Sequence, residues 1–334
     1  MTVERVGVKI AVIGGGTGSF TLLRTLKHYT RHISALVNMA DDGGSTGQLR
    51  DELGTLPPGD VRQCLVALSE SERVRDLFTY RFEDGAMKGH AFGNLFLSAL
   101  EKMTGSFAEA VDTASHVLNI IGKVYPITLD KVTLVMTQSD GSVTRGEFNI
   151  GHLDFGDSKR PDLSLEPSSS INPEAEKAIL DSDIVVVAPG NLYGSLAPAL
   201  VVPGVGEALR ATNAKKVYVC NLVTKPGQTD GFKVDDFAAE IERFGNFKLD
   251  YVIYNNDRPP KELLDRYAKK DEYWVEFDER ELKKMHYKAD GASLVADEFV
   301  SADSIASDTI AATRSLIRHN ADIVARRLMR IYFS

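Results

Sequence analysis

The sequence predicts an α/β fold, a Rossmann-like three-layer sandwich around a mostly parallel sheet with a small inserted antiparallel β segment. Two observations predict the parallel sheet. Short β-branched runs alternate with amphipathic segments at both ends of the chain. The first run, residues 8–13, ends in a glycine cluster and is followed by a helical pattern. At 334 residues the chain is long enough to bury a large core.

The N-terminal part begins as a β-α-β unit, which implies a right-handed crossover between parallel strands. Residues 17–28 carry apolar side chains at helical spacing, and residues 33–39 form a second strand-like run. Residues 40–47 are rich in glycine and aspartate and are predicted as a loop. Helices are then predicted over residues 60–69, 72–82, 90–103 and 107–118.

The pattern changes in the middle of the chain. Three short alternating runs, around a Ser-Asp-Gly-Ser turn at residues 139–142, predict an antiparallel hairpin set. These runs are residues 124–129, 132–138 and 143–148. The proline-bearing residues 159–173 are predicted as a loop. We therefore expect residues 122–172 to be an inserted β-hairpin region within one domain that spans residues 1–334.

The strand–helix alternation resumes after this region. Strands are predicted over residues 183–187, 216–220 and 251–254. Helices are predicted over residues 190–200, 205–211, 234–244, 304–316 and 321–331. Because ligands of such sheets bind at the carboxyl ends of the strands, a site is expected in the loops that follow them.

Composition limits the partners. The formal charge is −8, which argues against nucleic acid and anionic membranes as partners. The N-terminus lacks a signal-peptide apolar region, and no stretch approaches about 18 uninterrupted apolar residues. We therefore expect a cytoplasmic protein without a membrane span. Cys64 and Cys220 lie in apolar runs and are expected to be reduced core residues.

The loop after the first strand, residues 14–18 (GGGTG), is expected to bind phosphate. Glycines let the backbone approach a phosphate, and the next helix presents N–H groups at its positive end. The alternative is a tight turn with no ligand. The dinucleotide pattern G-x-G-x-x-G breaks at Ser19, and no acidic residue ends the second strand. Both departures argue against an NAD-dependent oxidoreductase.

The loop after the second strand, ADDGGSTG, carries paired carboxylates. Asp41 and Asp42 are able to hold a divalent cation, and Asp60 in LPPGD adds a further oxygen donor. The alternatives are a solvated loop for the pair and a helix N-cap for Asp60. Arg50 and Arg62 are candidate phosphate partners or, alternatively, surface salt-bridge residues.

Later loops add further candidates. The segment APGNLYGS from residue 188 forms a second strand–glycine–helix junction, with Gly190 at the turn. Residues 221–231 form a polar, glycine-bearing loop longer than a strand–helix connection needs. His90 lies beside Asn94 at the start of an apolar helix, where it either caps the helix or lines a pocket. No Ser–His–Asp order and no other nucleophile stands out, so no catalytic residue is assigned.

Five motifs occur in order: IGGGTGSFTLLRTLK, ADDGGSTGQLRDELGTLPPGDVRQCLVAL, HAFGNLFLSAL, APGNLYGSLAPALVVPGV and NLVTKPGQTDGF. Together they resemble the YvcK-like, or gluconeogenesis factor, branch of the CofD-like family, over residues 9–257. The other branch is the 2-phospho-L-lactate transferase, which moves a phospholactyl group from a guanosine diphosphate carrier to a deazaflavin with magnesium. That branch resembles this chain at the double aspartate but lacks the GGS and LPPGD pattern.

The resemblance implies binding of a UDP-sugar such as UDP-N-acetylglucosamine, no established reaction, and a role in gluconeogenic growth, cell-wall synthesis and cell shape. It also implies a homodimer. It places Gly15, Gly16, Thr17 and Gly18 at the diphosphate, and Asp41 and Asp60 on the side of a magnesium ion. It further places Asn191, Leu192, Tyr193, Asn221, Thr229 and Asp230 along the ligand cleft. Where the family has His-Asp-Pro near its end, this chain has His-Asn-Ala at residues 319–321.

Two functions therefore stay open. One is a nucleotide-sugar-binding regulatory protein. The other is a magnesium-dependent phosphotransferase that uses a nucleotide diphosphate donor. The expected ligand-binding residues are Gly15, Gly16, Thr17, Gly18, Asp42, Ser45, Arg62, His90, Asn94, Gly190, Asn191, Leu192, Tyr193, Asn221, Thr229 and Asp230, and the expected metal ligands are Asp41 and Asp60.

Overall fold

A seven-stranded parallel sheet forms the centre of the computed structural model, which describes residues 7–156, 160–296 and 318–334. Its strands are β1 (Ile10–Gly14), β2 (Ile33–Val37), β3 (Lys123–Pro126), β7 (Ile184–Val187), β8 (Lys215–Val219), β9 (Tyr251–Asn255) and β10 (Lys288–Ala292). Their spatial order is β10-β9-β8-β7-β1-β2-β3. The chain runs to one side of β1 first and later returns to its other side at β7, so the crevice between these strands is the topological switch point of the sheet.

The central strands form because their residues suit burial on both faces. β1 (IAVIG) and β7 (IVVV) are fully buried, β-branched runs, as parallel strands covered by helices on both sides require. The described helices before and after the small antiparallel sheet are α1 (Gly16–Leu26), α2 (Gly44–Leu53), α3 (Gly59–Leu68), α4 (Glu72–Thr79), α5 (Phe92–Thr104), α6 (Phe107–Leu118), α8 (Pro173–Leu180), α9 (Ala197–Leu200), α10 (Val205–Ala211), α11 (Val234–Gly245), α12 (Lys261–Ala268), α13 (Glu279–Leu282) and α14 (Ala321–Phe333). The predicted fold class is confirmed.

A second, three-stranded antiparallel sheet lies in the middle of the chain. It consists of β4 (Thr133–Thr137), β5 (Val143–Arg145) and β6 (Asp162–Glu166), in the order β5-β4-β6. A one-turn helix, α7 (Glu147–Gly151), follows β5. This insertion brings α7 to the carboxyl edge of the main sheet, where the carboxylate of Asp42 contacts it.

The structure differs from the sequence prediction at several elements. β3 was expected in the antiparallel set, but it pairs in parallel with β2, because α6 returns the chain to the same edge of the main sheet. β6 lies inside residues 159–173, predicted as a loop, because its prolines flank the strand rather than interrupt it. α2 begins at Gly44, inside the predicted loop 40–47. β10 and the helices α7, α8, α12 and α13 were not predicted, and α7 begins inside the strand predicted over residues 143–148. The helix predicted over residues 304–316 lies outside the described residues.

Two expectations, on the cysteines and on membrane spans, can be compared with the structure. Cys64 and Cys220 are both buried and free, as expected. Within the three described ranges, no single helix is both long and apolar enough to cross a membrane. One bent pair, Leu192–Leu200 with Val205–Ala211, satisfies that criterion on length and composition alone.

Candidate functional site

A cleft of about 410 Å³ opens at the carboxyl ends of β1, β7 and β8, at the switch point of the sheet. Three loops and the start of α14 form its walls. The residues that line it are Gly15, Gly16, Thr17, Gly18, Thr21, Leu22, Pro189, Gly190, Asn191, Ser195, Val219, Asn221, Leu222, Val223, Thr224, Lys225, Glu272, Arg318, His319, Ala321 and Val324. Seven of the expected ligand-binding residues are among them: Gly15, Gly16, Thr17, Gly18, Gly190, Asn191 and Asn221.

The glycine loop brings the start of α1 into this cleft. Gly15 is the N-cap of α1 and provides no side-chain cap, and the first residues of the helix, Gly16, Thr17 and Gly18, line the cleft. A Cβ at Gly15 would overlap the carboxylate of Asp60, and a Cβ at Gly18 would overlap the carbonyl oxygen of Pro189. The close approach of Asp60, at the start of α3, and of the loop after β7 therefore requires glycine at both positions.

The loop after β7 forms the opposite wall. The side chain of Asn221 holds this loop: its Nδ2 donates to the Gly190 carbonyl oxygen at 2.8 Å, and its Oδ1 accepts from the Gly190 N–H at 3.3 Å. Asn191 caps a π-helical turn, Leu192–Leu196, by accepting from the Gly194 N–H at 3.3 Å. Such turns are frequent at functional sites.

Leu192 and Tyr193 have a different position from the one expected. Both are buried, and the Tyr193 hydroxyl donates to Glu240 Oε2 at 3.4 Å. They anchor the π-helical turn in the core and so position Asn191, while their own side chains lie away from the cleft lining. Burial, with the nearby charge of Glu240, raises the pKa of the Tyr193 hydroxyl.

Acidic side chains gather beside the glycine loop. Asp41 accepts from the Gly43 N–H at 3.0 Å, and burial together with the charge of Asp42 raises its pKa. Glu147, from the inserted region, has its pKa raised to about 8 by burial and then by the charges of Asp41, Asp42 and Asp60. This mutual repulsion shows that the four carboxyl groups share one electrostatic environment.

The donor set suits a magnesium ion only in part. Among the residues that the structure describes, no three acidic, histidine or cysteine side chains are grouped closely enough to hold a metal ion. Magnesium is usually bound through one or two carboxylates together with substrate phosphates and water. Asp41 and Asp60 would match that number of protein donors if a diphosphate also bound the ion, and such an ion would relieve the repulsion within the cluster.

Several expected binding residues hold the framework of the site. Arg62 Nε donates to Asn94 Oδ1 at 2.8 Å, and both residues are buried between α3 and α5. Ser45 Oγ and His90 Nδ1 lie 2.9 Å apart at the start of α2. None of these four side chains belongs to the lining of the cleft.

Two of the remaining expected residues, Asp42 and Thr229, accept hydrogen bonds from the backbone of segments beside the cleft. Asp42 accepts from the N–H groups of Glu147, at 3.1 Å, and Phe148, at 2.7 Å, and thereby caps α7. Thr229 is buried and its Oγ1 accepts from the Lys225 N–H at 2.7 Å, whereas Asp230 is exposed. Asp42 and Thr229 thus shape the loops beside the cleft rather than its surface.

Four polar residues of this region were assigned no binding role from the sequence: Glu147, Lys225, Arg318 and His319. Lys225 lies within the motif NLVTKPGQTDGF, so a search for cations in strand-end loops would have found it. Glu147 has no sequence signal, because the inserted region brings it to the site through tertiary structure alone. His319 Nε2 lies 2.9 Å from the Cys220 carbonyl oxygen, and burial lowers the pKa of the ring to about 4. Asn320 caps α14 by accepting from the Ile323 N–H at 3.2 Å, as an aspartate would.

The fold and its strand-end cleft define the class: a Rossmann-like α/β protein with a glycine-rich loop at the start of α1 that lines the cleft. The family model described as 2-phospho-L-lactate transferase CofD matches residues 10–295. The gluconeogenesis factor of Bacillus subtilis is 41% identical over 325 residues, covering 96% of this chain and 97% of that protein. The chain therefore belongs to the CofD-like family, in its gluconeogenesis factor group, which confirms the resemblance noted in the motifs.

Two further comparisons agree with this placement. The gluconeogenesis factor of Halalkalibacterium halodurans is 38% identical over 323 residues, covering 96% of this chain and 95% of that protein. A crystal structure of a UPF0052-family protein from Bacillus halodurans has a TM-score of 0.86 and 35% identity, covering 97% of this chain and 99% of that one. The fold described above is thus shared with an experimentally solved relative over nearly its whole length.

Proposed function

We propose that this protein is a cytoplasmic regulatory protein that binds a UDP-sugar, such as UDP-N-acetylglucosamine, and links carbon metabolism to cell-wall synthesis and cell shape. The observation that carries the proposal is one continuous cleft that joins the N-terminus of α1 to an apolar recess. The relatives of this chain from Bacillus subtilis and Halalkalibacterium halodurans bear the name gluconeogenesis factor. By the same resemblance we propose a homodimer.

The cleft has the parts that such a ligand needs. The N–H groups at the start of α1 suit the diphosphate. Apolar side chains in the recess, from Val219, Leu222, Val223 and Val324, suit the face of a nucleobase. Asn191 and Asn221 supply amide groups nearby, and Lys225 supplies a cation. A volume of about 410 Å³ lies within the range of small-molecule sites, about 300–1,000 Å³.

The acidic cluster favours a second candidate, a magnesium-dependent phosphotransferase with a nucleotide diphosphate donor. Asp41 and Asp60 would hold the ion, and a bound magnesium would stabilise negative charge on the diphosphate. The D41N variant tests this role. If Asp41 holds the ion, any strengthening of nucleotide binding by magnesium disappears in D41N; if the strengthening persists, this carboxylate is not a required ligand.

A thermal-shift panel separates the candidates. The ligands are UDP-N-acetylglucosamine, GDP, GTP and NAD, each with and without magnesium. A ligand at 100 times its Kd adds about 2.7 kcal/mol to native stability. For a chain of this size, that corresponds to about 4 °C in Tm. A shift with the UDP-sugar alone supports the regulatory protein. No shift with the UDP-sugar, together with a magnesium-dependent shift with guanine nucleotides, contradicts it.

A further inference from the structure

Helix α7 is held at both ends by side chains from loops that border the ligand site. At its start, the carboxylate of Asp42 accepts from two of its N–H groups. At its end, Lys225 Nζ donates to the Gly151 carbonyl oxygen at 2.6 Å, and Gln228 Nε2 donates to the Ile150 carbonyl oxygen at 2.8 Å. Asp42 follows β2, whereas Lys225 and Gln228 follow β8. The inserted sheet is thereby connected to the carboxyl edge of the main sheet.

Lys225 belongs both to this connection and to the cleft, because the residue also lines the cleft with the glycine loop. Burial lowers the pKa of its ammonium group, while the nearby Glu147 acts in the opposite direction. The acceptor at 2.6 Å is a neutral carbonyl oxygen. A phosphate oxygen is a stronger acceptor for an ammonium group than a carbonyl, because both partners are then charged.

We infer that Lys225 binds the diphosphate of the nucleotide-sugar. When the ligand binds, Lys225 Nζ contacts this phosphate instead of the Gly151 carbonyl oxygen, and α7 thereby responds to ligand binding. The inference rests on the proposed function. Lys225 Nζ then no longer donates to the Gly151 carbonyl oxygen, and only Gln228 still donates to the carbonyl groups at the end of α7 that these two side chains bind. α7 presents Phe148, which is 52% exposed, and the adjacent His152, with ring centroids 4.4 Å apart. The change therefore reaches the surface of the protein.

The first test is calorimetric titration of the full chain with UDP-N-acetylglucosamine. We expect K225M to weaken binding at least tenfold and K225R, which keeps the charge, to weaken it less. K123M is the matched control, because Lys123 is an exposed lysine on β3 outside the cleft; its affinity should equal that of the wild type. Thermal unfolding of each variant without ligand establishes that it is folded.

The second test is hydrogen exchange over residues 147–153 with and without UDP-N-acetylglucosamine. Ligand should accelerate exchange there in the wild type and leave it unchanged in K225M. Unchanged or slower exchange in the wild type overturns the transmission to α7. If the wild type binds the ligand and K225M binds it within twofold as well, Lys225 is not a phosphate ligand and the proposed function stands. If the wild type does not bind the ligand, the proposed function fails together with the inference.

Discussion

Glu147 and His319 show how burial at single residues shapes the response of this protein to pH. Burial and neighbouring carboxylates raise the pKa of Glu147 to about 8, whereas burial lowers the pKa of His319 to about 4. Both side chains are thereby neutral at pH 7 in the folded protein. Both residues are partly buried, and a neutral group there avoids the desolvation cost that a charge would carry, but each of these groups makes folding depend on pH.

Replacement of Glu147 by glutamine should stabilise the protein near neutral pH. The folded state keeps the proton of Glu147 up to about pH 8, while the unfolded chain releases it near 4.5. Stability from this group is therefore complete below pH 4.5 and is lost as pH rises to 8. E147Q removes that loss and should raise the free energy of unfolding by about 2–3 kcal/mol at pH 7 and by little at pH 4.5. Urea unfolding at both pH values checks this, with the exposed-site variant E83Q as control; equal gains at both would contradict it.

Replacement of His319 by glutamine should reduce sensitivity to acid. The pKa of His319 falls from 6.5 to about 4 on folding, so the unfolded chain takes up this proton first as the pH drops. Between pH 7 and pH 5 this residue should cost the folded state about 2 kcal/mol. H319Q keeps a donor for the Cys220 carbonyl oxygen and does not titrate. We expect H319Q to lose less stability than the wild type over this range, and H116Q, at an exposed histidine, to behave as the wild type does.

At the scale of elements, the junction between β1 and α1 depends on backbone approach. Pro189 lies so close to Gly18 that a methyl group has no room. The same approach places the loop after β7 against the first turn of α1, and the two loops together form one end of the cleft, where we propose that the diphosphate binds. A substitution that disrupts the packing of these two loops is therefore expected to weaken ligand binding as well.

The G18A variant tests this element. A Cβ at residue 18 must displace the carbonyl oxygen of Pro189, and overpacking of this kind costs about 1–3 kcal/mol. We expect lower stability in urea and at least a tenfold weaker affinity for UDP-N-acetylglucosamine. G7A is the matched control, since nothing lies within 4 Å of a Cβ at Gly7. Wild-type affinity in G18A would show that the two loops do not jointly form the binding surface.

Some strands could be predicted from their own side chains and others could not. β1 and β7 are continuous buried runs, so the pattern of side chains identifies them directly. β10 (KADGA) has no such run, because its pairing with β9 rather than its side chains makes it a strand. The direction of β3 depends on where α6 delivers the chain, and its four residues carry no information about that.

At the scale of the whole molecule, the cleft joins segments that are far apart in the chain. The glycine loop, Asn191 and Asn221 were predictable as strand-end residues, because the carboxyl ends of parallel strands meet at one edge. The presence of Glu147 at the site was not predictable, because its position depends on how the inserted sheet packs against the loops after β2 and β8. Leu192 and Tyr193 were expected near the ligand, but their apolar and aromatic side chains are buried in the core beneath it.

A crystal structure of the protein grown with UDP-N-acetylglucosamine tests the central claim most directly. We predict density for the diphosphate within hydrogen-bond distance of the N–H groups of residues 16–18. We also predict that Lys225 Nζ contacts a phosphate oxygen and that the nucleobase lies against the apolar recess. Ligand density elsewhere on the protein, or an empty cleft at a concentration far above the measured Kd, would contradict it.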